Sequence, residues 1–185
     1  MLLVIVAAVS SGLALMWFNR EPTPPPVFDL NPEDFKENGS LRKGAVPRGQ
    51  EILRALRSDD KESASSAMYL LIEVLNADNP KELWPAGLPR VKVYKYVEKY
   101  LDSENEVLLK YALSLADPAR DFGKGFYRNK KHVEEVQEAI ERWNKIQRKE
   151  KTKKAPTRIW FFYELILDED GNPVKYEIDG GAIVQ

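Results

Sequence analysis

The chain contains no cysteine and only one histidine, His132, in 185 residues. The first absence removes disulfides, thiolate catalysis, cysteine-based zinc or iron–sulfur centres and cysteine-linked lipid anchors. The second rules out a multi-histidine metal site within one chain. A strong charge of either sign is also missing. The 28 Lys and Arg offset 29 Asp and Glu for a formal net charge of −1, so there is no global attraction to nucleic acid or to an anionic surface. No Gly-x-Ser-x-Gly nucleophile elbow occurs, and no Gly-x4-Gly-Lys-Ser/Thr phosphate loop. Gly123-Lys124-Gly125 is too short for the second. Asp121-Phe122-Gly123 matches the three-letter metal motif of kinases, without the glycine-rich loop, catalytic loop or length that give it meaning. No cofactor is implied.

One long apolar run is present. Residues 2–18 read LLVIVAAVSSGLALMWF, with no charge and only two serines. At about 1.5 Å per residue a helix of that length spans roughly 25 Å, the short end of what a bilayer core requires. The sequence therefore predicts a single transmembrane anchor over residues 1–20. Trp17, Phe18 and Arg20 fall at the membrane interface. Ala7 with Ser11 and Ala8 with Gly12 have small-xxx-small spacing, which lets a second helix approach closely. The rival reading is a cleaved signal peptide, but a basic n-region is missing and the tolerable site, Gly12-Leu13-Ala14, lies inside the apolar run. Arg20, Lys36, Arg42 and Lys43 follow the span while no basic residue precedes it, which leans the domain toward the cytoplasmic side.

Beyond the anchor the reading is mainly α. A proline-rich linker over residues 21–30, with Pro22, Pro24, Pro25 and Pro26, favours a stiff polyproline II spacer. Residues 31–157 then read as an irregular small helical bundle. Asn31-Pro32-Glu33-Asp34 opens a short helix that Asn38-Gly39 stops, and residues 40–49 read as a loop. Ile52, Leu53 and Leu56 mark a helix over about 48–57. Asp59 with Glu62 fits a capping box for a longer helix to about residue 77, striped by Ala64, Ala67, Met68, Leu71, Val74 and Leu75. Val93, Val97, Tyr100 and Leu101 give a helix over 91–101. Ser103 with Glu106 suggests a second capping box, for a helix to about residue 116. After a glycine-bearing loop, Asn129 caps a last helix to about residue 149 along Val133, Val136, Ile140 and Trp143.

At the end of the chain the apolar period falls from helical to two. Residues 159–167 and 174–178 alternate about the turn Asp168-Glu169-Asp170-Gly171-Asn172-Pro173, predicting a β-hairpin over 158–185 packed on the bundle. The first strand is apolar on both faces and is expected to be covered on both, by the helices or by a partner. Gly180-Gly181 is expected to turn the chain into a short last strand over 182–184. Two helix-ending segments, around Asp78 and Asp117, hint at a repeat, but their connecting segments differ in length and an irregular bundle fits better.

Four local features invite chemistry. Asp168-x-Asp170-x-Asn172 resembles the start of a calcium loop, but Pro173 and Asp179 stand where glycine and a bidentate glutamate are needed. A hairpin turn accounts for it. His132 with Glu135 has the spacing of an acid–base pair, although a solvated first-turn histidine is the commoner outcome. Lys145, Arg148, Lys149, Lys151, Lys153, Lys154 and Arg158 form a basic run suited to anionic lipid headgroups. It lacks the interleaved aromatics that nucleic acid would favour. The loop bearing Leu83, Trp84 and Leu88 would suit a docking partner, or would pack its own tryptophan on the bundle.

Together these features suggest a single-pass, membrane-anchored accessory or scaffold protein, not an enzyme, partnered by other subunits of a membrane complex. The alternatives are an exported soluble binding domain released by cleavage and, behind it, an enzyme using a carboxylate cluster.

Overall fold

Residues 24–151 and 161–180 are described by the computed structural model, without the side chains of residues 150, 151 and 180. The expected anchor, with Ala7, Ala8, Ser11, Gly12, Trp17, Phe18 and Arg20, lies outside them. So do Lys153, Lys154, Arg158, the side chain of Lys151, the boundary between residues 157 and 158 and the expected strand over 182–184. Among the described residues, no helix is long and apolar enough to cross a membrane.

Among the described residues, seven α-helices and a two-stranded hairpin make up the fold. The helices are α1 (Gly49–Arg57), α2 (Lys61–Asn76), α3 (Pro80–Leu83), α4 (Arg90–Leu101), α5 (Glu106–Leu115), α6 (Asp121–Phe126) and α7 (Lys131–Lys151). The strands β1 (Phe161–Leu167) and β2 (Pro173–Gly180) pair antiparallel. The expected short helix at Asn31 is only a 3-10 turn, Pro32–Asp34, because Gly39 takes φ +79° and folds the chain back to bridge Phe35 with Leu41. A second 3-10 turn, Lys43–Ala45, falls in the expected loop.

Two helix caps differ from the sequence reading, and for one reason. Asp60, not Asp59, caps α2 by accepting from the Ser63 N–H at 2.9 Å. Asn105, not Ser103, caps α5 by accepting from the Val107 and Leu108 N–H groups. In each case an upstream serine hydroxyl accepts from the capping residue's own N–H: Ser58 from Asp60 at 2.9 Å, Ser103 from Asn105 at 3.1 Å. The serine turns the chain, and the acid or amide two residues on starts the helix.

The core joins faces of α1, α2, α4, α5, α6 and α7. Ile52, Leu56, Met68, Leu71, Leu109, Leu113, Phe122 and Phe126 are fully enclosed within it. Tyr100 ties α4 to the end of α1 by donating to the Leu56 carbonyl at 2.9 Å. Helices α4 and α7 run side by side in the same direction, since Glu98 meets Lys131 while Leu101 and Asp102 meet Arg142.

Helix α6 has no counterpart in the sequence reading, where Gly123 and Gly125 suggested a loop. Gly123 is there because α6 presses on the preceding turn. A Cβ at this position would lie 1.9 Å from the Asp117 carbonyl oxygen. The Asp-Phe-Gly triplet thus has a packing explanation: Phe122 fills the core and Gly123 permits the approach.

The hairpin docks through α7. The Asn144 carboxamide accepts from the Tyr163 N–H at 3.0 Å and donates to the Tyr163 carbonyl at 2.8 Å, standing in for a third strand along the free edge of β1. Trp143 Nε1 donates to the Phe161 carbonyl at 2.8 Å. Beneath, Tyr163 and Tyr176 stack edge to face, and the Tyr176 and Tyr127 hydroxyls share a hydrogen bond of 3.1 Å. Burial pushes the ionisation of both those hydroxyls upward, so they stay neutral. Coverage of β1 is uneven, contrary to expectation: Leu165 is buried, Phe162 and Ile166 are half-buried, and Glu164 is exposed.

The proline-rich segment is not a free spacer over its whole length. The Ser63 hydroxyl is shared between Asp60 Oδ2 at 2.6 Å and the Pro25 carbonyl at 3.4 Å, and Ser66 Oγ accepts from the Phe28 N–H at 3.1 Å. Phe28 and Leu30 pack against the core. From Pro25 onward the chain is therefore part of the domain, seated along the first turns of α2.

Candidate functional site

A cleft of about 900 Å³ opens between α4, α6 and the start of α7. Its wall carries Val91, Tyr94, Lys95 and Glu98 from α4, Phe126 from α6, and His132 from α7. The histidine is the residue the sequence placed least well. A solvated first-turn imidazole was the commoner outcome, yet His132 is only 7 % exposed. Its ring stacks flat on Phe126, centroids 3.9 Å apart and planes within 8°. The unforeseen helix α6 supplies that aromatic platform.

The hydrogen bonds fix the imidazole's orientation. Nδ1 lies 2.6 Å from the Phe126 carbonyl oxygen. A carbonyl only accepts, so Nδ1 carries a proton and donates it, and in the neutral ring the Nε2 lone pair accepts from the Asn129 side-chain amide. Nε2 faces Glu98 Oε2 and Glu135 Oε2, each at 4.0 Å, with the Asn129 amide nitrogen 3.3 Å away. The two carboxylates use their other oxygens on Lys131: Nζ lies 3.3 Å from Glu98 Oε1 and also pairs with Glu135 Oε1. These contacts, Glu135 first, hold the Lys131 ammonium above its ordinary pKa.

Each carboxylate therefore splits its oxygens, Oε1 to the lysine and Oε2 toward the histidine. Glu135 Oε2 is buried with no hydrogen-bond partner among the described residues. A buried carboxylate oxygen left in that state is costly. His132 and Glu135 are one helical turn apart, and that spacing was visible in the sequence. Glu98 comes from a different helix, and no local pattern marked it; only the parallel packing of α4 and α7 brings it in.

The other residues singled out from the sequence are placed as follows. Lys145, Arg148 and Lys149 are exposed on the last turns of α7. Lys145 and Arg148 share a shallow groove with Glu138, Glu141 and Arg142, so positive charge there is interrupted by acids. The Arg148 guanidinium lies 6.0 Å from the centre of the Phe162 ring. Leu88 is buried, while Leu83 and Trp84 are half-buried against the core. Trp84 Nε1 donates to the Leu88 carbonyl at 2.7 Å, its ring lies 5.4 Å from Phe122, and Arg90 covers it at 5.2 Å.

Asp168 is fully engaged by its own turn. Oδ1 accepts from the Asp170 and Asn172 N–H groups, and Oδ2 from the Asn172 side-chain amide. The backbone bond from Asn172, followed by its side-chain bond, lowers the carboxyl's pKa. Gly171 takes φ +76° to complete the turn. No family model matches this chain, and no curated protein or solved structure matches it either.

Proposed function

We propose that the chain is a single-pass, membrane-anchored accessory module that holds a helical domain against partner subunits of a membrane complex. The observation that carries this reading is the docking of Pro25 and Phe28 on α2. Because the chain joins the domain there, only residues 19–24 separate the apolar run at 2–18 from the folded body. Six residues reach about 20 Å when fully extended. So short a tether restricts both distance and orientation, which suits a subunit that must meet neighbours in a fixed pose better than a free-swinging binding domain.

The junction lies at a definable end of the bundle. Asp59 meets Lys99, Tyr100 meets Leu56, Arg142 meets Leu101, and Gln147 meets Glu106. These contacts gather the start of α2, the ends of α1 and α4, the start of α5 and the later turns of α7. Lys145, Arg148 and Lys149 belong to those turns, and the sequence continues the basic run through Lys151, Lys153, Lys154 and Arg158. On this reading they oppose anionic headgroups, while Asp59, Asp60, Asp102 and Glu104 limit the attraction.

Cross-linking in native membranes tests the reading. The expected result is a discrete heteromeric adduct that weakens when Ala7, Ala8, Ser11 and Gly12 are replaced together by leucine. A chain that yields no adduct and runs as a lone monomer in mild detergent would overturn it.

A further inference from the structure

We propose that Glu98, His132 and Glu135 form a binding site for one divalent transition-metal cation of the Zn²⁺ class. The proposal is independent of membrane attachment and rests on the geometry of these three side chains. One ligand atom from each, Nε2 of the imidazole and one oxygen of each carboxylate, lies within 4.8 Å of the other two. A cation bound at the usual 2.0–2.2 Å would need each ligand to move inward by about half an ångström. Glu98 is well placed to supply such movement, its side chain being 41 % exposed.

Three further features distinguish this cluster from a surface patch of acids. The imidazole is buried and oriented, with Nδ1–H committed to the Phe126 carbonyl, the outer contact that metal-bound histidines ordinarily make. The flat stack on Phe126 holds the ring so that Nε2 points at both carboxylates. Finally, Glu135 Oε2 is buried and has no hydrogen-bond partner among the described residues, and a cation would satisfy it.

An imidazole with two carboxylates suits a borderline cation such as Zn²⁺ better than Mg²⁺ or Ca²⁺, which favour all-oxygen shells. The Asn129 amide now near Nε2 would turn aside on binding. His132 and Glu98 both line the cleft, so the fourth position would face it and take a water or an anionic group.

Lys131 supplies a discriminating test. Its ammonium neutralises one of the two carboxylate charges from the far side, through the Oε1 atoms. It therefore opposes a bound cation without occupying the Oε2 positions.

The experiment uses the full chain, free of any affinity tag, in detergent, titrated with ZnCl₂ and separately with MgCl₂. Because His132 is the only histidine, its imidazole ¹⁵N and ¹H resonances report on the site without assignment ambiguity. The expected result is one saturable Zn²⁺ equivalent that shifts Nε2 and retains the Nδ1 proton, with no such response to Mg²⁺. Glu98→Gln and Glu135→Gln should each weaken binding by at least about tenfold, a loss of the size that metal sites show on losing a supporting contact. Lys131→Met should tighten it by about threefold, the effect of removing one charge at several ångströms through a water-like medium.

His132→Ala should abolish the signal, but the ring packs on Phe126, so circular dichroism must show that this variant folds. Glu98→Gln, at a half-buried position that makes no core contact of that kind, keeps the test decisive if it does not. Absence of a saturable equivalent, Zn²⁺ binding unchanged by Glu98→Gln, or weaker binding in Lys131→Met would each overturn the proposal.

Discussion

Two groups of carboxylates in this molecule invite the thought of a metal, and they differ in where their oxygens go. Asp168, in the sequence Asp-Glu-Asp-Gly-Asn, has the spacing of a calcium loop, yet its oxygens accept three hydrogen bonds from its own turn. Glu98 and Glu135 have no motif, yet their Oε2 atoms converge on a buried imidazole, and that of Glu135 has no hydrogen-bond partner among the described residues. Ligand spacing along a chain describes a site only if the backbone leaves the side chains unspent. In the turn, the carboxylate organises the local fold. Between α4 and α7, the fold organises the carboxylates.

The largest effects should come from breaking the hairpin region as a whole. Trp143 is buried and donates to the Phe161 carbonyl, so Trp143→Ala removes both core volume and a hydrogen bond. It should destabilise the domain by about 3–5 kcal/mol in urea unfolding. Gly123→Ala acts on the other group, because the 1.9 Å approach to the Asp117 carbonyl forces α6 away and takes the Phe126 platform with it. A loss of about 3 kcal/mol is expected, together with a changed His132 resonance and an unchanged hairpin.

Asn144→Ala should reverse that pattern. It leaves the Tyr163 N–H and carbonyl without their partner, for about 1–3 kcal/mol, and loosens the hairpin while His132 keeps its signal.

The smallest effect is acid sensitivity of the turn. The Asp168 pKa is depressed in the folded state, so its contribution is complete above the unfolded value of about 4 and fades as pH falls through the lower folded value. Asp168→Asn should remove that part of the acid dependence, read as a flatter stability profile below about pH 4.

These contrasts also explain what the sequence could and could not disclose. The helices α1, α2, α4, α5 and α7 and the hairpin were legible because their apolar periods are set by residues close along the chain, such as Val133, Val136, Ile140 and Trp143 on α7. The caps at Asp60 and Asn105 lie one and two residues beyond the positions the sequence favours, because the adjacent Asp59 and the upstream Ser103 have the same capping chemistry. In sequence, α6 resembles a loop because Gly123 and Gly125 are poor helix formers; a close backbone approach at Gly123 overrides that preference.

The burial of His132 is illegible in sequence for the same reason, since nothing local announces Phe126 of α6 as its stacking partner. Glu98 was beyond reach for a different reason: its role depends on α4 and α7 packing in parallel. The strand-like function of Asn144 is tertiary in the same sense, visible only once α7 lies along β1.

The proposed anchoring is tested most directly by membrane retention of the full chain. Membranes from cells expressing the full chain would be washed in alkaline carbonate, and the retained protein measured by intact mass. The expected result is the uncleaved chain, of about 21.2 kDa, in the washed pellet. A soluble product whose mass corresponds to a start near Leu15 would contradict it.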